Sequence, residues 1–528
     1  MSEDLYETDY EVGQSNLQRW GMDVHHPVFW VSSGLVILFV LGVLMAPEAA
    51  KGALDGAKWW SIAAFDWLFM LAGNIFVIFC LVLIFLPVGK IRLGGQDAKP
   101  EFSRMSWFAM LFAAGMGIGL MFWSVAEPTA YYTGWYETPL GVEARTPEAA
   151  SLAMSATMFH WGLHPWAIYA VVALSLAFFS YNKGLPLTIR SAFYPLIGDH
   201  SWGFFGHVID TVAVLATLFG LATSLGFGAQ QASAGLAYLF GFDAGINTQI
   251  AVIIVVTALA LFSVIRGLDG GVKVLSNINM SIAAILLLFI FIVGPTAVII
   301  ATMGDTLIGY LGQIVAYSNF IGREDEAWMQ GWTVFYWAWW ISWSPFVGMF
   351  IARVSKGRTV REFIIAVLII PTLVTLVWMS VFGGSALDQI QNGVGTLAGG
   401  LDSVELAMFH MLENLPFATI TSAIGIVLVL VFFITSSDSG SLVIDAITAG
   451  GKVDAPVVQR IFWVVIEGVV AAALLFGGGA DALTALQAAA ITVGLPFTVV
   501  LLAMCVCLYM GLRHEKIYVV DEAGAPVS

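Results

Sequence analysis

Apolar runs of membrane-spanning length alternate with short polar segments along nearly the whole chain. A hydrocarbon layer about 30 Å thick needs roughly 20 apolar helical residues. Runs of that kind fall near 28–46, 65–89, 107–132, 150–180, 207–240, 249–266, 273–301, 329–353, 360–386, 415–441, 457–477 and 484–512. The pattern predicts an all-α polytopic membrane protein with 12 transmembrane helices. A thirteenth, more polar segment at 305–326 carries Asp305, Arg323, Glu324, Asp325 and Glu326, and reads as a surface helix lying along the membrane. Residues 1–27 form a polar, acidic N-terminal tail, 28–512 the helical domain, and 513–528 a short C-terminal tail.

Basic residues set the expected orientation. With an even number of spans and both termini cytoplasmic, only Lys51, Lys58, Arg145 and Arg323 of the 21 Lys and Arg fall outside. Composition agrees with a membrane location: 59% of the 528 residues are hydrophobic and 11% charged, against about 25% charged in soluble domains. The formal net charge of −15, with no basic arm, excludes a nucleic-acid partner. Cys80, Cys505 and Cys507 sit in apolar runs and are expected as buried thiols. No phosphate-binding loop motif is present for a primary pump, and no repeated ring of carbonyls or charges for a channel.

Two stretches interrupt the apolar pattern. Gly115, Gly117 and Gly119 alternate within the third run, where each Gly costs a helix about 1 kcal/mol relative to Ala. Close helix packing is the plain structural use of such residues. In the eighth run Trp337, Trp339, Trp340 and Trp343 share one broad helix face just before Pro345, which is expected to break the helix. An aromatic belt at the bilayer surface is the plain alternative. Indole faces attract quaternary ammonium groups, however, and four Trp beside a break favour a binding site. The two interruptions lie five spans apart. Paired breaks in corresponding places point to an inverted-repeat transporter with a midplane site, with repeats at about 107–301 (spans 3–7) and 329–512 (spans 8–12).

Three blocks, Ala113–Pro128, Phe159–Tyr169 and Trp332–Arg358, resemble the betaine/carnitine/choline transporter family, and the resemblance runs from about the first span to the twelfth. It implies a LeuT-type inverted repeat with two extra N-terminal helices, commonly a homotrimer in a bacterial cell membrane. It implies transport of trimethylammonium compounds or their analogues, and no enzymatic activity.

On that resemblance Trp161, Trp166, Tyr169 and Trp340 match the family's aromatic box, and Trp339 and Trp343 line the pathway beside it. Trp161 lies five residues before Trp166, which an unbroken helix would turn away; a distortion at Pro165 is expected to relieve this. Sodium-coupled members use a pattern matching the hydroxyls of Thr435 and Ser436 and the carbonyls of Ala113, Met116 and Phe432. Back-bonding of those hydroxyls to their own helix is the alternative. Thr217 matches one ligand of a second sodium site, where Leu221 replaces another. Sodium-independent exchangers place a fixed positive charge nearby, and residues 191–265 contain no Lys or Arg.

The resemblance therefore implies sodium-coupled uptake of a zwitterionic onium compound: glycine betaine, dimethylsulfoniopropionate or carnitine. A sodium-independent exchanger and a choline-type transporter are the alternatives. Choline-selective members carry an Asp near the end of the glycine stretch, whereas Phe102–Ala126 here contains no acidic residue. A zwitterion is expected, its carboxylate meeting backbone N–H groups at Gly115, Gly117 and Gly119. Of the remaining ionisable groups, Glu467 is expected in a structural hydrogen bond or as a protonated Glu, and Asp210 and Asp438 paired with loop Lys or Arg. The stretch Arg353–Arg361 reads as a topology anchor, and the short, weakly basic C-terminal tail as no osmosensor.

Overall fold

The computed structural model describes residues 6–115, 117–267, 273–515, 519–520 and 526–527; Met116 and Lys516 lie outside the described residues. Strands β1 (Asn16–Arg19) and β2 (Met22–His25) pair as an antiparallel hairpin. Its two-residue turn, Trp20–Gly21, takes positive φ at both positions, the backbone that matches strand twist. The helices follow in order: α1 (His26–Met45), α2 (Pro47–Phe85), α3 (Arg104–Gly115), α4 (Ile118–Thr133), α5 (Pro147–Trp161), α6 (Leu163–Tyr181), α7 (Tyr194–Ile197), α8 (Phe204–Phe240), α9 (Ile246–Gly267), α10 (Lys273–Val293), α11 (Thr296–Ser318), α12 (Glu326–Trp328), α13 (Val334–Val354), α14 (Val360–Gln391), α15 (Ala407–Leu412), α16 (Ala418–Thr448), α17 (Val457–Gly478) and α18 (Ala482–Arg513).

Among the described residues, ten helices are long and apolar enough to cross a membrane, or up to eleven if the bent α3–α4 pair counts as one span. The expected set of twelve maps onto these with three differences. Helix α13 is not among the ten, because its Trp, Tyr and Ser lower its apolarity; it is shielded by α6, α18, α8 and α3 packed around it. Helices α17 and α18 run as one apolar stretch, Val457–Arg513. Helix α11 passes the test although the sequence places a polar surface segment at 305–326. It starts at Thr296 because Pro295 cannot continue α10, and it ends at Ser318, before the Arg323–Asp325 ion pair (2.7 Å).

Burial sorts inner from outer helices. The most apolar stretch of α5–α6 is 94% buried, that of α11 only 17%. On α9, α10 and α11, Ile254, Ile292, Ile308 and Val315 are exposed apolar residues, the surface that lipid or another apolar partner covers.

The breaks differ from the sequence expectation in two places. Helix α13 continues through Pro345. The proline removes one N–H and frees the Ile341 carbonyl one turn back; the Ser344 hydroxyl donates to that carbonyl at 2.6 Å, which keeps the helix intact. The irregularity lies earlier, in a π-helical turn at Met329–Thr333. In the α5–α6 pair the break falls at Gly162, not at Pro165, which sits in the first turn of α6. A Cβ at Gly162 would lie 2.6 Å from the Met158 carbonyl oxygen and 2.9 Å from the Tyr310 hydroxyl, so only Gly fits this junction. The α3–α4 break is where the glycines predict it, with an angle of 69° between the two segments.

The acidic N-terminal segment is folded down. Asn16 donates to the Ala449 carbonyl (2.9 Å), Asp23 pairs with Lys452 (2.5 Å), and the Tyr10 ring stacks on Trp202. Residues 353–361 are likewise pinned: Arg361 donates to the Ile84 carbonyl and Arg358 to the Phe102 carbonyl, each at 2.7 Å.

Candidate functional site

Helix α13 brings its aromatic face against the α5–α6 break. The Trp161 and Trp340 rings meet edge to face at 4.8 Å, and Tyr169 stands edge-on to Trp340 at 6.3 Å and to Trp166 at 5.5 Å. Trp339 stacks on Trp340 at 4.7 Å and meets Trp343 edge to face at 6.4 Å. The Gly162 break solves the spacing problem: it lets Trp161 at the end of α5 and Trp166 in α6 turn toward one space. All six rings that the family resemblance singles out thus form one connected cluster, and every one of them is buried.

Four of the indoles are fixed by their N–H groups. Trp340 donates to the His160 carbonyl (2.8 Å), Trp343 to the Gly220 carbonyl (3.0 Å), Trp339 to the Ser224 hydroxyl (3.2 Å) and Trp161 to Glu127 Oε2 (2.7 Å). Anchoring the nitrogen edge sets the orientation of the π faces, and those faces attract cations. The Tyr169 hydroxyl, by contrast, has no partner among the described residues although it is buried.

The glycines of the α3–α4 break make room for these rings. A Cβ on Gly115 would stand 2.1 Å from Trp166 Cη2, on Gly117 3.1 Å from Trp343 Cη2, and on Gly119 2.6 Å from Trp339 Cη2 and 3.0 Å from Trp161 Cη2. The alternation therefore serves the indoles first. Gly119 lies in the first turn of α4, where a helix leaves its N–H groups without intrahelical partners, so a carboxylate contact there is compatible with this packing. An Asp at 119 would displace the Trp339 and Trp161 rings before its charge acted.

Helix α16 adjoins the same break: Ser436 Oγ lies 4.0 Å from the Cβ position of Gly117, and no hydrogen bond of that hydroxyl occurs among the described residues. The Thr435 hydroxyl donates back to the Val431 (3.0 Å) and Phe432 (3.2 Å) carbonyls, as membrane hydroxyls often do. Its oxygen lone pairs stay available, so the donor set suits a hard cation. Thr217 also back-bonds, to Ala213 (2.7 Å), while Leu221 fills the space over Gly440.

Other ionisable groups divide. Asp210 pairs with Arg190 (3.2 Å), and Glu467 accepts from the Ser437 hydroxyl (2.8 Å), both as the sequence leads one to expect. Among the described residues Asp438 pairs with no loop cation: it is buried beside Ser263, and neither carboxyl oxygen has a hydrogen-bond partner there.

A buried network behind the box escapes sequence reasoning. Glu127 Oε2 accepts from Trp161 Nε1 and from the Tyr336 hydroxyl (2.6 Å); Oε1 accepts from the Tyr131 hydroxyl (2.9 Å) and lies 2.8 Å from His160 Nδ1. His160 Nε2 faces the Thr333 hydroxyl at 3.0 Å. The available signal is an acid inside an apolar run, one residue beyond the acid-free stretch that ends at Ala126.

The betaine/carnitine/choline family transporter signature matches residues 27–517. The chain belongs to the betaine/carnitine/choline transporter family. Among its relatives, a glycine betaine transporter 1 of Vibrio parahaemolyticus is 67% identical, covering 96% of this chain and 98% of that one. A glycine betaine/proline/choline/ectoine transporter of the same organism is 62% identical over 96% and 91% of the two chains. The glycine betaine transporter OpuD of Bacillus subtilis is 45% identical over 93% and 94%. The family member described here is accordingly a multi-pass membrane transporter and not an enzyme.

Proposed function

We propose sodium-coupled secondary uptake of a zwitterionic quaternary-ammonium or sulfonium compound, of the glycine betaine, dimethylsulfoniopropionate or carnitine type, by alternating access. The observation that carries this reading is the ring cluster around Trp340, with its indoles anchored at nitrogen and its faces turned inward. An onium head is both apolar in surface and positive in charge, so it gains from burial and from the π faces together. The names of the relatives support a betaine-type substrate.

In this reading Trp161, Trp166, Tyr169 and Trp340 hold the onium head, and Trp339 and Trp343 line its path. The first turn of α4 at the glycine break meets the carboxylate. Thr435 and Ser436, with the carbonyls of Ala113, Met116 and Phe432, would hold sodium, and Thr217 would serve a second. Sodium bound there supplies a positive charge between α16 and the broken α3–α4 helix. Spans 3–7 and 8–12 are the two inverted repeats of a LeuT-type fold. Both termini face the cytoplasm of a bacterial cell, and the inner-membrane protein assembles as a homotrimer.

The test is uptake of labelled glycine betaine into proteoliposomes holding the full chain, with sodium or potassium outside, competed by carnitine, dimethylsulfoniopropionate and choline. Sodium-driven, competable uptake is expected. Equal uptake in potassium overturns sodium coupling, and uptake only by counterflow gives the exchanger. A choline-type substrate is the second reading, favoured by the name of one relative and by the carboxylate behind Trp161.

A further inference from the structure

The expectation of a zwitterion rests on an acid-free stretch that ends at Ala126, and the next residue is Glu127. We propose that Glu127 is the built-in counter-charge of the onium site, and that it opens the site to cations lacking a carboxylate, of the choline class. The inference rests on the reading of the aromatic cluster as the onium site.

Glu127 is fully buried on α4. Its two oxygens face three donors, Trp161 Nε1 and the Tyr336 and Tyr131 hydroxyls, and His160 Nδ1, which donates in the tautomer that carries its proton there. Two carboxylate oxygens offer about four lone-pair sites. With the His160 proton on Nδ1 all four act as donors, a set that suits an anionic acceptor. The His160 ring need not neutralise it. The Thr333 hydroxyl can donate to Nε2, so one ring proton, on Nδ1, satisfies both nitrogens. No Lys or Arg pairs with Glu127 among the described residues, and Arg323 is committed to Asp325.

A lone anion in the protein interior is costly without a cation near it. One wall of the aromatic cluster is tied directly to this anion. The Trp161 N–H points at the carboxylate, and donation to an anion enriches the indole π system that faces Trp340. A choline-class cation entering the cluster would meet both the π faces and the field of Glu127, and would need no carboxylate of its own. Its hydroxyl end would lie toward the first turn of α4, where a betaine carboxylate is placed.

The test uses the full chain in proteoliposomes, wild type and Glu127→Gln, which keeps shape and one acceptor but removes the charge. The readouts are KM for choline, KM for glycine betaine, and inhibition by 3,3-dimethyl-1-butanol, the uncharged isostere of choline. A unit charge ~8 Å away at an effective dielectric near 20 corresponds to about thirtyfold, which is the rise expected in the choline KM. The betaine KM should rise only about threefold, because its carboxylate is relieved of the same field. Inhibition by the isostere should stay unchanged. Equal losses for all three compounds, or no change in the choline-to-betaine ratio, would overturn the proposal. If Glu127→Gln does not insert, Trp161→Phe, which keeps a ring but cuts the link, must lower choline affinity more than betaine affinity, and an equal loss sinks the idea. Wild-type protein that takes up betaine but not choline overturns this inference alone; protein that takes up neither overturns the reading of the aromatic site.

Discussion

The ring of Trp166 occupies the space that a side chain on Gly115 would need: a Cβ there would lie 2.1 Å from Trp166 Cη2. The broken helix and the aromatic cluster are therefore two halves of one fit. Gly115→Ala must push Trp166 away from Tyr169, and overpacking of this kind costs about 1–3 kcal/mol. Betaine uptake by the inserted protein should fall at least about tenfold. Gly117→Ala, where the clearance is 3.1 Å and only a ring edge intrudes, should be milder. The reverse order in measured KM would show that these glycines do not act through the rings.

Trp340 stands against Trp161, Tyr169 and Trp339, so its loss should be felt by the whole cluster. Trp340→Leu keeps bulk and apolarity and removes one π face. A desolvated cation–π contact is worth about 2 kcal/mol, so the KM for betaine should rise about thirtyfold. Unchanged uptake by a properly inserted variant would take Trp340 out of the site.

Thr435→Ala together with Ser436→Ala deletes two hydroxyl oxygens next to the glycine break without opening a large cavity. Apparent sodium affinity should weaken by at least about tenfold, while betaine affinity at saturating sodium changes little. Titrating uptake with sodium decides it; parallel losses of both affinities would mean that the hydroxyls only brace α16.

His25 ties the N-terminal hairpin to the membrane domain: Ser15 Oγ lies 2.9 Å from its Nδ1, and Arg190 Nη1 2.9 Å from its Nε2. Burial, helped by the Arg190 guanidinium and His207, pushes the imidazole down from 6.5 to about 3. Because the folded value is depressed, the neutral ring's contribution to docking is whole above pH 6.5. It is lost as pH falls from there toward 3. Hydrogen exchange across residues 16–25 should quicken as pH drops through that window, after correction for intrinsic rates. His25→Gln should weaken the pH dependence, and an unchanged profile would refute the assignment.

The sequence by itself determines the class of the protein and where its helix pattern is interrupted. Apolar runs of fixed length have few uses outside a bilayer. Gly at alternate positions in such a run marks a break, and Trp spaced three and four apart must share a helix face. Those rules are local; they mark Gly115–Gly119 as a helix break and put Trp339, Trp340 and Trp343 together on α13, whereas Trp337 turns to His164 and Phe159. What depends on neighbours distant in sequence was decided by tertiary structure. Pro345 looks like a helix break until the Ser344 hydroxyl is seen to satisfy the carbonyl that the proline orphans. Gly162 looks incidental until Tyr310, from a helix almost 150 residues away, closes over it. Asp438 looks like half of an ion pair, but no cation reaches it among the described residues. Glu127 is a single acid in an apolar run; only the folded chain brings Trp161, His160 and Tyr336 to its two oxygens. Spacing along a helix fixes which side chains share a face. The partner that satisfies a buried polar group comes from another helix, and the order of residues in one run does not specify it.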